Sequence, residues 1–396
     1  MVDILVISHS CFVSVNRLIY RELAALGWSV EIVIPEQHNF GSGIRTSEDD
    51  SPRDPKIHRL PMLGLHGRFR IYQGLFKLLD RLQPRIVFMD NDYASLLAWL
   101  LGRWTNSNNS TLIVQTNDNL IKNPWSEISQ GRIKSGFGSI GIKLLSDLVN
   151  SKIKHIFAIN SVGIKLLNSM GYAGRVSQIP LGYDPNLFCN DPQTRLEIRK
   201  SLGLSKTTIA YFGRVIPEKG LHILIEALAK LKDLEWQLLL DEFKAYRNPY
   251  YEHIKSLIKE HDLESRVVEF EATHQEMPRY FNAADIVVMP SVSTPNFKEQ
   301  YGRVAVEAMA CGCLVIASDS GALPEVIGDG GIIVPENSQE ALGDALSKAL
   351  QNVEFRENLV NLATKRAINY LSIHQQRDLM SQVFSKILSP TSKEAA

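Results

Sequence analysis

Ile209-Ala210-Tyr211-Phe212-Gly213-Arg214-Val215-Ile216-Pro217-Glu218-Lys219-Gly220-Leu221 reads as an apolar strand, a loop with glycines at both ends and the start of a helix. The strand is predicted over Ile209–Phe212, and the apolar-periodic helix over 222–231. Gly213 lets the chain turn tightly after the strand, and Gly220 stands where the helix begins. Lys219 beside a helix start is mildly unfavourable alone, because that end carries partial positive charge. An anion held by Arg214, Lys219 and the free amides would reverse that cost. Two solvated loop cations are the plainer alternative.

The same strand–loop–helix rhythm extends in both directions. Towards the N-terminus, strands are predicted at Ile4–Ile7, Val30–Ile34, Ile86–Met89, Leu112–Gln115, Ile156–Ile159 and Val176–Ile179, with a helix over Val15–Leu26 stopped by Gly27. Towards the C-terminus they are Trp236–Leu240, Val267–Glu271, Ile286–Met289, Val315–Ser318 and Ile332–Val334. Short apolar strands alternating with helices make a parallel, doubly wound sheet. The stretch Tyr183–Lys200, with Asp184, Pro185, Asn190, Asp191 and Pro192, interrupts the rhythm and reads as a linker. The tail from about Arg356 to Leu388 is helical in pattern, and 389–396 reads as frayed. The expected organisation is therefore an α/β pair of Rossmann-like domains. Residues 1–185 form the first and 186–370 the second, and 371–396 are a helix and tail returning to the first. Ligands of such sheets sit outside the carboxyl ends of the strands, and the two domains are expected to face an inter-domain cleft.

Composition narrows the function. In 396 residues, 43 Lys+Arg balance 43 Asp+Glu, which gives no case for nucleic acid. The balance hides a skew: 20 basic and 15 acidic residues in 1–190, against 23 and 28 in 191–396. Four cysteines in so long a chain suggest a reducing compartment. MVDILVISHS lacks the basic start and apolar run of a signal peptide, and no window approaches about 18 uninterrupted apolar residues. A cytoplasmic protein is expected. The ten histidines show no metal-ligand spacing, so neither a metal nor another cofactor is expected. Arg132-Ile133-Lys134-Ser135-Gly136-Phe137, followed by Ile140–Leu145, mixes basic and apolar residues. It suggests peripheral contact at the inner face of a membrane, or simply a helix packed on its own domain.

A second motif is sharper: Glu299-Gln300-Tyr301-Gly302-Arg303-Val304-Ala305-Val306-Glu307-Ala308-Met309-Ala310-Cys311-Gly312. From Gly302 it reads as a short apolar helix, and Glu307 has apolar neighbours on every side. A carboxylate there is costly unless something bonds it. Ribose hydroxyls suit it, because an ionised carboxylate accepts two hydrogen bonds; a structural ion pair is the alternative. The amides of Gly302, Arg303 and Val304 point out of the helix start, where phosphate binds well.

Glu299 and Glu307 are separated by seven residues, and this stretch resembles the E-x7-E signature of retaining GT-B glycosyltransferases, more narrowly glycosyltransferase family 4, the glycosyl transferases group 1. Phe212-Gly213-Arg214 with Lys219-Gly220 resembles that family's diphosphate-binding loop. Ile179–Asp184 with Phe188, and Ala317–Gly321 through Pro324–Ile327, resemble its linker and the segment after its second glutamate. The resemblance is dense over about 180–340. It implies transfer of a hexose-type sugar from a nucleotide-sugar, UDP- or GDP-linked, to a glycan or lipid-linked acceptor in polysaccharide biosynthesis. Carried over, Arg214 and Lys219 would neutralise the donor diphosphate and assist its departure, Glu307 would hold ribose, and Glu299 would contact the transferred sugar. Gly213, Tyr301, Gly302, Arg303 and Val304 would line the donor site.

The first half departs from the family pattern. The loop Ser8-His9-Ser10-Cys11-Phe12 lacks the usual glycine pair, and Asn117-Asp118-Asn119 stands where a histidine is usual. His9, Asp90 and Asn117 are the acceptor-side candidates, and Asp118, like His9, is a candidate to act near the transferred sugar. A nicotinamide dehydrogenase is disfavoured: Gly136-Phe137-Gly138-Ser139-Ile140-Gly141 has the G-x-G-x-x-G spacing but does not directly follow a predicted strand, as that fingerprint requires. A non-catalytic nucleotide-sugar-binding protein, or a nucleotide-sugar epimerase, remains an alternative.

Overall fold

The computed structural model describes residues 2–39, 44–64, 67–120, 133–241 and 248–389. The chain divides into two compact units, residues 1–182 with 373–396, and residues 183–372.

The first unit is built on seven parallel strands: β1 (Ile4–Ser8), β2 (Val30–Pro35), β3 (Lys56–Leu60), β4 (Ile86–Asp90), β5 (Thr111–Thr116), β6 (His155–Ala158) and β7 (Arg175–Gln178). Their order is β7-β6-β5-β4-β1-β2-β3, all parallel. The order reverses between β1 and β4, so their carboxyl ends mark the topological switch point. Side chains alternate across the sheet. Leu5 and Ile7 pack into the core on one face, Ile4 and Val6 into the core on the other. Burial on both faces explains why the strands read as continuous apolar runs. The second face is covered by α1 (Leu18–Ala25) and by the C-terminal helix Ile373–Leu388. Phe384 of that helix is fully buried, and its ring centroid lies 5.8 Å from those of Phe88 and Phe157 and 5.9 Å from that of Trp28.

The second unit has six parallel strands: β8 (Thr207–Tyr211), β9 (Trp236–Asp241), β10 (Val267–Phe270), β11 (Ile286–Met289), β12 (Leu314–Ser318) and β13 (Gly331–Val334). Their order is β10-β9-β8-β11-β12-β13. Its switch point lies between β8 and β11. Ile209, Tyr211, Leu238, Leu240, Ile286 and Val288 point into one core.

The structure refines the sequence reading at four places. Lys56–Leu60 is a sheet strand that the apolar pattern missed, because as the edge strand it keeps only one strand neighbour and exposes Lys56 and Arg59. The linker reading of Tyr183–Lys200 overlooked a helix at Pro192–Ser201, capped by Asp191, whose carboxylate accepts from the Gln193 and Thr194 amides with Pro192 at the first turn. The helix predicted over Val15–Leu26 opens as a 3₁₀ turn, Ser14–Arg17, and is α-helical only from Leu18. The helical tail is two helices, Val353–Tyr370 and Ile373–Leu388, separated at Leu371–Ser372. The frayed stretch expected at the C-terminus lies almost wholly outside the described residues, and so do the side chains of Arg132–Phe137.

Candidate functional site

In the second unit both sequence motifs fall at the switch point. The loop after β8 carries Gly213 to Gly220, and the loop after β11 carries Pro290 to Tyr301. Gly220 has φ +68°, and a Cβ there would sit 1.9 Å from the Pro290 carbonyl oxygen. Only glycine lets the two loops approach so closely. They are stitched together where the Val292 amide donates to the Glu218 carbonyl at 2.8 Å.

This approach brings together two residues 80 apart in sequence. Lys219 Nζ donates to Glu299 Oε2 at 2.6 Å, and Ser291 Oγ donates to the same oxygen at 2.9 Å. Both partners of the ion pair are largely buried, with side chains 18% and 10% exposed, so the charges are poorly screened by solvent. Lys219 Nζ also lies 5.5 Å from the Phe297 ring centroid, a cation–π distance. Arg214 is exposed, and its backbone carbonyl accepts from the Tyr211 hydroxyl at 3.0 Å. The start of helix Leu221–Ala229 is not a bare amide nest: the His222 amide donates to the Tyr250 hydroxyl at 3.1 Å.

The second glutamate sits on a short helix, Arg303–Ala310, whose cap Gly302 has φ +88° and no room for a Cβ, Leu323 Cδ2 being 2.5 Å away. Tyr301 is buried, Arg303 exposed and Val304 half-buried. Glu307 is 7% exposed. Burial pushes its carboxyl up to about 7, opposed by the Arg303 guanidinium one turn away. Arg303 Nε stands 3.8 Å from Glu307 Oε1, an ion-pair contact too long for a hydrogen bond. The structural-pair alternative is thus present only in a weak, half-exposed form.

In the first unit the strand ends at the switch point are closed by a buried network. Asp90 Oδ2 accepts from Ser8 Oγ at 2.8 Å and Ser10 Oγ at 2.7 Å, and Oδ1 accepts from Gln115 Nε2 at 3.2 Å. Asp90 therefore ties the ends of β1, β4 and β5 together. Beside it lies a cavity of about 120 Å³ lined by His9, Arg68, Arg70, Tyr72, Asn91 and Asp92, among others. Asp118 meets this wall through Arg68, whose Nη2 donates to Asp118 Oδ2 at 2.9 Å and lies 3.9 Å from Asp92 Oδ1. Burial raises the Asp92 carboxyl, with Arg68 opposing. Asn117 is exposed at the end of β5. The two candidate clusters each belong to one unit: Lys219, Glu299, Glu307 and Arg303 in the second, His9, Asp90, Asn117 and Asp118 in the first.

Sequence reading missed Arg68, Arg70 and Asp92, which no motif marks, and Ser291, whose signal was only its place after a strand end. Among the described residues no group of three or more His, Cys, Asp or Glu gathers as a metal site.

Residues 194–366 match the family described as glycosyl transferases group 1. That span lies wholly within the second unit. Curated relatives include the D-inositol 3-phosphate glycosyltransferase of Paenarthrobacter aurescens, 30% identical over 212 residues, which are 50% of this chain and 48% of that one. The lipopolysaccharide 1,2-N-acetylglucosaminetransferase of Salmonella typhimurium is 28% identical over 193 residues, 46% of this chain and 49% of that one. The chain spans about half the length of the curated relatives it matches.

Solved structures match across both units. Sucrose-phosphate synthase from Thermosynechococcus elongatus superposes with a TM-score of 0.72 at 20% identity, covering 99% of this chain and 100% of that one. Anabaena HepE in complex with UDP gives 0.73 at 18% identity, covering 97% and 100%. At that identity the likeness speaks for the fold. The chain has two Rossmann-like α/β domains with parallel sheets, the GT-B fold of its glycosyltransferase neighbours.

Proposed function

We propose that this chain is a retaining glycosyltransferase that moves a hexose-type sugar from a nucleotide-diphosphate-sugar, UDP- or GDP-linked, to a glycan or lipid-linked acceptor in polysaccharide biosynthesis. The observation that carries the reading is the Lys219–Glu299 pair at the switch point of the unit that matches the glycosyl transferases group 1. A cation beside a carboxylate, at the end of a parallel sheet, offers one group for a diphosphate and one for sugar hydroxyls. Arg214 and Lys219 would stabilise the charge that develops as the diphosphate leaves, so the reading needs no metal. Glu307 would bind the ribose hydroxyls as a carboxylate. Gly213 and Tyr301–Val304 would line the donor.

The acceptor side is assigned to the first unit. The mixed lining of its cavity, a histidine, two arginines, a tyrosine, an asparagine and a carboxylate, suits a polyhydroxylated ligand. Asp118 and His9 are proposed to act there, with Asp90 as the buried support of the strand ends and Asn117 at the rim. No helix among the described residues is long and apolar enough to cross a membrane. Leu144 and Leu148, one turn apart on the helix Ile133–Asn150, are 60% and 56% exposed, and support peripheral contact at the inner, cytoplasmic face of a membrane. Loss of co-sedimentation with anionic vesicles on L144D/L148D would support that contact, and wild-type protein that ignores such vesicles would refute it.

The test is a thermal-shift panel of UDP, GDP, ADP and their sugar conjugates on wild type and on Arg214→Ala/Lys219→Ala. At a ligand concentration of 100 Kd the stabilisation is about 2.7 kcal/mol, or roughly 5–10 °C for domains of this size. One nucleotide should stabilise wild type and lose its effect in the double variant. If no nucleotide or nucleotide-sugar shifts wild type, or if the double variant shifts equally, the donor site is misplaced.

A further inference from the structure

Glu299 is held by more than Lys219. The loop that carries it, after β11, is pinned from a third direction by a carboxylate with no part in either sequence motif. Glu336, two residues past β13, accepts from both donors of one loop residue: the Ser293 amide at 2.7 Å on Oε2 and the Ser293 hydroxyl at 2.5 Å on Oε1. The Ser293 proton is thereby committed, so in the 3.1 Å contact between Ser293 Oγ and Ser320 Oγ it is Ser320 that donates. Glu336 is itself fixed where its amide donates to Asp319 Oδ1 at 2.8 Å.

The end of β12 completes the frame. Ser318 Oγ donates to the Ser291 carbonyl at 2.5 Å, and the Ala322 amide to the Glu299 carbonyl at 3.1 Å. Gly321 has φ +60°, and a Cβ there would lie 2.0 Å from Glu299 O. Glu336 makes no ion pair among the described residues. A half-buried carboxylate whose side-chain donors among the described residues are the amide and hydroxyl of one serine is an expensive device for surface solubility. It is well suited to locking a loop.

We infer that Glu336 is a positioning residue. Through Ser293 it clamps the loop 291–299, so that the Glu299 carboxylate is presented at a fixed place beside Lys219. This rests on the proposed role of Glu299 at the transferred sugar. On that reading Glu336 sets the part of donor affinity that comes from the sugar, and leaves the nucleotide part alone.

The experiment uses the full chain and three variants, Glu336→Ala, Glu336→Gln and Ser293→Ala. Two quantities are measured: amide hydrogen exchange over 291–301 without ligand, and calorimetric affinity for the nucleoside diphosphate and for its sugar conjugate. Glu336→Ala should raise exchange in 291–301 at least tenfold, with the strands of the second unit unchanged. It should leave the diphosphate affinity within about twofold and cut the extra affinity conferred by the sugar about tenfold. Ser293→Ala, a smaller change that keeps the amide bond, should show the same pattern more weakly. Glu336→Gln, which can accept the amide and donate to the hydroxyl, should recover most of both. Unchanged exchange in Glu336→Ala overturns the clamp itself. Raised exchange with equal losses for diphosphate and sugar conjugate overturns the link to the sugar. If exchange rises but wild type binds neither ligand, the clamp stands as a loop lock, while the sugar role falls with the transferase reading.

Discussion

Replacing Glu307 by glutamine should stabilise the ligand-free protein at neutral pH, by an amount that builds up between about pH 4.5 and 7 and then levels off. The carboxyl is 7% exposed on an apolar helix, and burial moves it from the ordinary 4.5 to about 7. The folded chain therefore keeps a proton that the unfolded chain releases across that window. Where the folded state binds more protons, stability falls as pH rises. The contribution is fully present below about pH 4.5 and is lost as pH rises through 7. Each pH unit is worth about 1.4 kcal/mol, so the window sums to roughly 3 kcal/mol. Glutamine has the same shape and no titration, so the wild type should lose that amount relative to Glu307→Gln between pH 4.5 and 7.5. For domains of this size the difference is roughly 6–12 °C in Tm. The assay is thermal or urea unfolding of both proteins at pH 5, 6, 7 and 8. A gap between them that does not change with pH would refute the reasoning, as would a variant that is less stable at pH 8. On the proposed function the same substitution weakens nucleotide binding, since the ionised carboxylate is the better acceptor for two ribose hydroxyls. Stability and binding would then move in opposite directions.

Three further outcomes test the packing around the two sites. Lys219→Met leaves the Glu299 carboxylate buried without its cation and should destabilise by about 3 kcal/mol in urea unfolding; Lys219→Met/Glu299→Gln should recover most of it, and no recovery would deny the coupling. Gly220→Ala forces a Cβ within 1.9 Å of Pro290 O at φ +68°, so a cost of at least about 2 kcal/mol and weaker nucleotide binding are expected; a wild-type Tm would show that the loops are not in contact. Phe384→Ala empties a fully buried site between Trp28, Phe88 and Phe157 and should cost about 4 kcal/mol; a loss below about 1 kcal/mol would show that the C-terminal helix does not seal this face of the first unit.

Most of the fold was legible because its signals are local. Ile4–Ser8 and Leu314–Ser318 are buried at every position and so announce themselves as runs of apolar residues. Gly220 and Gly302 mark turns that other residues cannot make at positive φ, and Glu307 stands out as a carboxylate among apolar neighbours. The edge strand Lys56–Leu60 was not legible, because a strand with an exposed side loses the apolar run that marks the others. Asp191 capping a helix inside an apparent linker was missed because Pro and Asp serve turns and helix starts alike.

By itself, then, the chain determined its alternation of strands and helices, the turns that require glycine, and the motifs that fall at strand ends, since each depends on residues a few positions apart. Only the tertiary structure decided what those motifs meet: Lys219 against Glu299 across 80 residues, Arg68 against Asp118 across 50, and Glu336 against Ser293 across 43. Such pairs are set by the order of strands in a sheet and by backbone close approach. Neither leaves a trace in the spacing of residues along the chain.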